Sequence, residues 1–175
     1  NGLAINANTL GDITFTGVVN LAGALTIDNA AIVLVSNTFA AAAFTQTAGG
    51  TSTIFDNNTV TAGAFDFNGT VLTLSGATNT AATMTITNSG QFTTGDAATV
   101  VIANAFIQDA AGVNVIGDDL TSTNAAISFN SGVTVTSVDA IVITTGAGAG
   151  DDVTFTGTLA SAGANLTIDA GAAGD

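Results

Sequence analysis

The chain of 175 residues carries thirteen carboxylates, all of them Asp, and no Lys, Arg, His, Cys or Pro, for a net charge of −13. Nothing in it neutralises phosphates, so nucleic-acid binding by the usual electrostatic route is excluded, and an anionic membrane surface repels it. General acid–base and nucleophilic chemistry near neutral pH draws mostly on His, Lys, Cys or a base-activated Ser, and only Asp is left for that work.

Apolar residues alternate with Thr, Ser or Asp in short runs from end to end, the period-two signature of strands with one apolar face. In chain order, Ile13 and Phe15 flank Thr14, and Leu25 and Ile27 flank Thr26. Phe65 and Phe67 then flank Asp66, Leu72 and Leu74 flank Thr73, and Met84 and Ile86 flank Thr85. Ile127 and Phe129 flank Ser128, Val133 and Val135 flank Thr134, Val153 and Phe155 flank Thr154, and Leu166 and Ile168 flank Thr167. Between the runs stand Gly17, Asn29, Asn37, Gly49, Asn57, Gly69, Gly76, Asn88, Gly95, Asn104, Gly112, Asn124, Gly132, Gly146 and Gly157. A turn residue roughly every seven to twelve positions predicts many short strands.

Such spacing permits a β-sandwich or a β-solenoid, and three features favour the solenoid. Apolar residues reach 47% while aromatic ones are 6% and all Phe, so the predicted core is small to medium and nearly uniform, as a coil interior requires of every turn. The same content of Ile, Val, Leu and Phe argues against disorder. Asn and Asp recur at strand ends, where stacked coils align them into ladders that satisfy turn backbone. Finally, Asp12-Ile13-Thr14-Phe15-Thr16-Gly17 followed by Leu25-Thr26-Ile27-Asp28 returns as Asp152-Val153-Thr154-Phe155-Thr156-Gly157 followed by Leu166-Thr167-Ile168-Asp169, about 140 residues on. Residues 1–175 are therefore read as one segment of a longer tandem chain, an all-β parallel β-helix of about eight coils at roughly twenty residues each. A β-sandwich filament subunit joined by donor-strand exchange is the alternative.

No run of eighteen apolar residues and no basic-then-apolar leader is present, so neither a transmembrane helix nor a signal peptide is expected. The chain starts at Asn1, which suggests a processed or excised segment whose targeting information lies elsewhere. Absence of Cys fits a secreted protein that folds without disulfides, and many cytosolic proteins as well.

The stretch Thr144-Thr145-Gly146-Ala147-Gly148-Ala149-Gly150-Asp151-Asp152-Val153-Thr154-Phe155-Thr156-Gly157, with residues 124–130 before it and 165–171 after it, resembles the repeats of giant filamentous-haemagglutinin-like bacterial exoproteins. Phe44-Thr45-Gln46-Thr47-Ala48-Gly49-Gly50-Thr51 is similar to passenger-domain repeats of autotransporter adhesins. The resemblance is closest over residues 120–175. It implies a right-handed parallel β-helix, export to the cell surface and an adhesive or scaffolding role.

The pairs Asp118-Asp119 and Asp151-Asp152 are the sharpest local features. Hard carboxylate oxygens suit calcium, and Gly146–Asp152 is similar to a glycine–aspartate turn of β-roll proteins, but that pattern should recur in tandem and occurs here once. Solvated turn carboxylates are the simpler reading, with calcium the one candidate ligand and no other cofactor. Adjacent strand residues point to opposite faces, so neither pair forms the two-acid site of a glycosidase by itself. Polysaccharide lyases acting on acidic sugars use Arg or Lys, which are missing. Met84 reads as a core filler and the ten Phe as core. Asn57-Asn58-Thr59, Asn68-Gly69-Thr70 and Asn165-Leu166-Thr167 are formal glycosylation acceptors of the kind that chance supplies in an Asn- and Thr-rich chain.

The expectation is a non-enzymatic structural protein outside the cell or on its surface, a stiff protease-resistant stalk or filament. Its expected partners are neighbouring repeats or other copies of itself, with divalent cations screening the scattered Asp charge and no membrane insertion.

Overall fold

In a computed structural model that describes residues 2–48, 50–163 and 165–174, and only the backbone at Val60, the alternating runs form 24 strands and no helix. Asn1 and the turn residue Gly49 lie outside the described residues. Eight coils of three strands follow one another. Coil 1 holds β1 (Leu3–Asn6), β2 (Ile13–Phe15) and β3 (Val19–Leu21), and coil 2 holds β4 (Leu25–Asn29), β5 (Ile32–Val35) and β6 (Phe39–Ala41). Coil 3 holds β7 (Phe44–Gln46), β8 (Ser52–Phe55) and β9 (Thr59–Thr61), and coil 4 holds β10 (Ala64–Gly69), β11 (Leu72–Leu74) and β12 (Thr78–Ala81). Coil 5 holds β13 (Thr83–Asn88), β14 (Gln91–Thr94) and β15 (Thr99–Ile102), and coil 6 holds β16 (Phe106–Gln108), β17 (Val113–Ile116) and β18 (Leu120–Ser122). Coil 7 holds β19 (Ile127–Phe129), β20 (Val133–Val135) and β21 (Ile141–Thr144), and coil 8 holds β22 (Val153–Phe155), β23 (Leu159–Ser161) and β24 (Leu166–Asp169).

Each strand pairs with its counterpart one coil away, giving three parallel eight-stranded sheets. We call the sheet of β1 and β22 face 1, that of β2 and β23 face 2, and that of β3 and β24 face 3. Every pairing among the described residues is parallel. That is the parallel β-helix expected, and it sets aside the sandwich. On face 1 the column Leu3, Leu25, Phe44, Phe65, Met84, Phe106, Ile127, Val153 advances by 19 to 22 residues per coil, then by 26 at the last step. The long last step accommodates the connection Thr145–Asp152. At its tip Gly150 adopts φ +89°, a left-handed conformation that a side chain disfavours.

The core departs from the small, uniform one expected. Eight Phe side chains are fully buried, at positions 39, 44, 55, 65, 67, 92, 106 and 129. Phe39, Phe44, Phe55 and Phe65 interlock with ring centroids 4.7–5.9 Å apart. Phe92, Phe106, Phe129 and Phe155 continue the aromatic column at 5.1–6.0 Å. What stays constant is the filling of each coil. Coil 3 points Phe44 and Phe55 inward together with Thr53, Thr59 and Thr61, all buried, so large and small side chains share one cross-section. Met84 fills the face-1 column between Phe65 and Phe106.

Among the described strand residues, burial of the inward apolar side chains is incomplete in the two end coils. In coil 1 and coil 8 the inward residues Ile5, Phe15, Leu21, Val153, Phe155 and Leu166 are half-buried, and Leu159 and Ile168 are 38% and 44% exposed. The matched sequences meet a further complication: Asp12–Asp28 supplies β2, β3 and β4, beginning on face 2, whereas Asp152–Asp169 supplies β22, β23 and β24, beginning on face 1.

Candidate functional site

The turns between strands carry almost all the polar chemistry. Asp118 and Asp119 sit between β17 and β18, at the corner joining faces 2 and 3, while Asp151 and Asp152 sit between β21 and β22, at the corner joining faces 3 and 1. The fold therefore keeps the two pairs on separate corners. Within the first pair each acid serves a different coil. Asp118 Oδ2 accepts from Thr99 Oγ1 of coil 5 at 3.0 Å, and Asp119 Oδ1 accepts from the Val142 amide of coil 7 at 2.7 Å. Asp118 Oδ1 also accepts from the Asp119 amide at 2.8 Å.

Asp151 closes its own loop. Its Oδ2 accepts from the Gly148 amide at 2.8 Å, and its backbone carbonyl accepts from Thr145 Oγ1. The Asp152 carbonyl accepts from the Ile127 amide at 2.9 Å and so continues the face-1 ladder. These bonds are those of turn caps. Calcium takes six to eight oxygens, and among the described residues no group of three or more acids converges.

Corner 2–3 holds a feature that composition did not disclose. Asp56, Asp96, Asp118, Asp119 and Asp139 all fall there, so five of the thirteen acids share one edge of the rod instead of being spread evenly. Ser137 Oγ donates to Asp96 Oδ1 at 2.9 Å across two coils. The coil between contributes Gly117, whose amide donates to Thr94 Oγ1 at 2.9 Å. The signal for this row is the spacing, since 96 to 118 and 119 to 139 are each about one coil.

Corner 1–2 carries a buried amide network that period-two reading passes over, because Gln and Asn stand at inward positions. Gln108, fully buried, donates from Nε2 to Asn88 Oδ1 at 2.8 Å and to the Ala110 carbonyl at 2.7 Å. Its Oε1 accepts from Ser131 Oγ at 3.0 Å, the Asn130 amide at 3.2 Å and Asn114 Nδ2 at 3.3 Å. Three coils are thereby tied by one side chain. Gln46 and Thr53 make a smaller version, with Thr53 Oγ1 donating to Gln46 Oε1 at 2.8 Å. At corner 3–1 the predicted Asn ladder is present, with Asn124 Nδ2 donating to the Ala103 carbonyl at 2.9 Å and Asn104 Nδ2 to the Ala82 carbonyl at 3.2 Å.

The surface depressions are shallow. One of about 320 Å³ is lined by Asn20, Leu21, Ala22, Ala40, Ala41, Ala42 and Ala62, with no ionisable group. Another of about 270 Å³ is lined by Asn68, Gly69, Thr70, Thr87, Ser89 and Ala110. Neither brings together a nucleophile, a base and an oxyanion donor. Among the described residues no helix is long and apolar enough to cross a membrane. Compared with known proteins, the chain matches no family model, no curated protein and no solved structure.

Proposed function

We propose that this chain is a structural repeat segment of a bacterial cell-surface adhesin or extracellular fibre, a stiff stalk that performs no catalysis. The observation that carries the reading is the unbroken order of three eight-stranded parallel sheets, each strand pairing with its counterpart one coil away. Polar side chains are spent on holding coil to coil: Gln108, Asp118, Asp119 and Asn124 each bond a neighbouring coil. Protease resistance follows from the same ladder together with the absence of Lys and Arg, after which trypsin-like enzymes cut. The partners are further coils at the ends, and divalent cations act between rods as counter-ions to the acidic corner.

Cryo-electron microscopy of the native assembly tests this. The expected image is a thin fibre with a strong axial repeat near ~4.8 Å, the spacing of strands lying across the axis, and antibodies to the segment should label intact cells. Compact particles without that repeat, or label only after lysis, would count against the reading.

A further inference from the structure

Alternation along each strand turns every second side chain outward, and the three faces differ in what they turn out. The strands of face 1 carry Asp28 and Asp66, and β24 on face 3 carries Asp169, whereas the strands of face 2 contain no acid among the described residues. Face 2 turns out Ile32, Leu34, Ile54, Val71, Val113 and Val115 instead; Ile32 is 41% and Val113 54% exposed, and the other four are half-buried. Leu34 pairs with Ile54, and Thr73, Thr93, Val115 and Thr134 continue the same outward column. On the other faces the exposed apolar residues stand singly. Ile107 of face 1 lies between Thr85 and Ser128, and Val101 of face 3 between Thr80 and Thr121.

We propose that face 2 docks on face 2 of a second copy, with the two rods side by side and parallel. Charge selects this partner contact. Approach through face 1 or corner 2–3 brings together the carboxylates of two chains that each carry −13, whereas face 2 against face 2 covers an exposed apolar patch with no acid between the sheets. Charge also selects the direction. Corner 2–3 holds Asp56, Asp96, Asp118, Asp119 and Asp139, while corner 1–2 holds Asp12 and Asp109. A two-fold axis across the rods makes them antiparallel and sets the five-acid corner of one against that of the other. A two-fold axis along the rods makes them parallel and sets it against corner 1–2. There Thr51, Ser89 and Asn130 share coils 3, 5 and 7 with Asp56, Asp96 and Asp139, and all six are exposed, so hydroxyl and amide donors meet the carboxylates.

Eight strands at ~4.8 Å, each presenting about four residues of ~3.3 Å, give face 2 an area of about 500 Å². A pair therefore covers about 1,000 Å², the lower bound for a specific contact. Such a pair is weak and strengthens as salt screens the charge on the remaining surface. It goes beyond the stalk reading and does not depend on it.

Sedimentation equilibrium of the 175-residue chain at about 1 M salt, where the screening length is about 3 Å, tests the contact. A monomer–dimer equilibrium is expected. Ile54→Asp combined with Val115→Asp should weaken it at least about tenfold by opposing like charges across the sheets. Val101→Asp and Ile107→Asp, which place the same charge on faces 3 and 1, should leave it unchanged. Direction is read without altering charge, because the chain has no Cys. Thr14→Cys and Thr134→Cys, in coils 1 and 7 of face 2, are mixed and treated with a bifunctional thiol reagent that spans about 10 Å, the separation of packed sheets. Parallel rods link each variant to itself, whereas antiparallel rods link one variant to the other. Monomers at every salt concentration would overturn the pair and leave face 2 to a partner of other chemistry. A dimer indifferent to acids on face 2, or links only between the two variants, would overturn the face or the direction. The stalk reading would stand in each case.

Discussion

Inward side chains from three strands fill each interior coil, so the effect of a substitution depends on the residues beside it in the coil and on the coils above and below. Gln108 is the extreme case, since its two ends satisfy groups in coils 5, 6 and 7. Gln108→Leu keeps the volume nearly constant but orphans Asn88 Oδ1 and the Ala110 carbonyl. A loss of about 2–3 kcal/mol is expected, measured by denaturant unfolding. Two turn glycines make a sharper comparison. A Cβ on Gly76 would stand 2.2 Å from the Asn57 backbone carbon, whereas one on Gly17 would meet nothing within 4 Å. Gly76→Ala should therefore cost about 1–3 kcal/mol through forced displacement of the coil below. Gly17→Ala should be neutral or raise stability by up to about 1 kcal/mol through the unfolded chain. A melting-temperature comparison checks both. The turn character of these glycines was readable from the sequence; which of them lies under another coil was not, because the neighbour that decides it stands about twenty residues away.

Strands of three to six residues cannot hold themselves, and each gains its stability from the strands on either side. Amides in β10 to β17, covered on both sides, are expected to exchange slowest, with β1 to β3 and β22 to β24 exchanging at least tenfold faster. Uniform protection along the rod would mean that the ends are closed by contacts absent here. Runs such as Leu72–Leu74 and Ile127–Phe129 declared themselves through clean alternation of apolar and hydroxyl side chains. By contrast, β16 and β12 turn Gln108 and Asn79 inward, so hydropathy alone gives no face for them. Assignment of a strand to face 1, 2 or 3 needs the count of three per coil, which a coil length varying from 19 to 26 residues conceals.

The whole molecule is a rod whose coil number was legible from length and turn spacing, while the gathering of five acids at one corner became visible only once the coils were stacked. With a charge of −13 and no basic residue to offset it, rods should stay apart at low ionic strength and associate side by side as salt shortens the screening length towards about 10 Å near 0.1 M. Calcium and magnesium are expected to promote this alike at millimolar levels, followed by light scattering; tight stoichiometric binding of calcium alone would instead indicate a formed site at the paired acids. The open end coils carry a mechanical consequence. All three ladders of interstrand hydrogen bonds run along the rod axis, so a pull on one terminus loads only the outermost coil, which detaches before the next feels the force. Each detachment frees roughly 20 residues, or about 70 Å of slack chain. Under tension the molecule would therefore yield like a paid-out line, lengthening in even steps at a nearly constant load, and rewind coil by coil on the intact remainder when the strain is released.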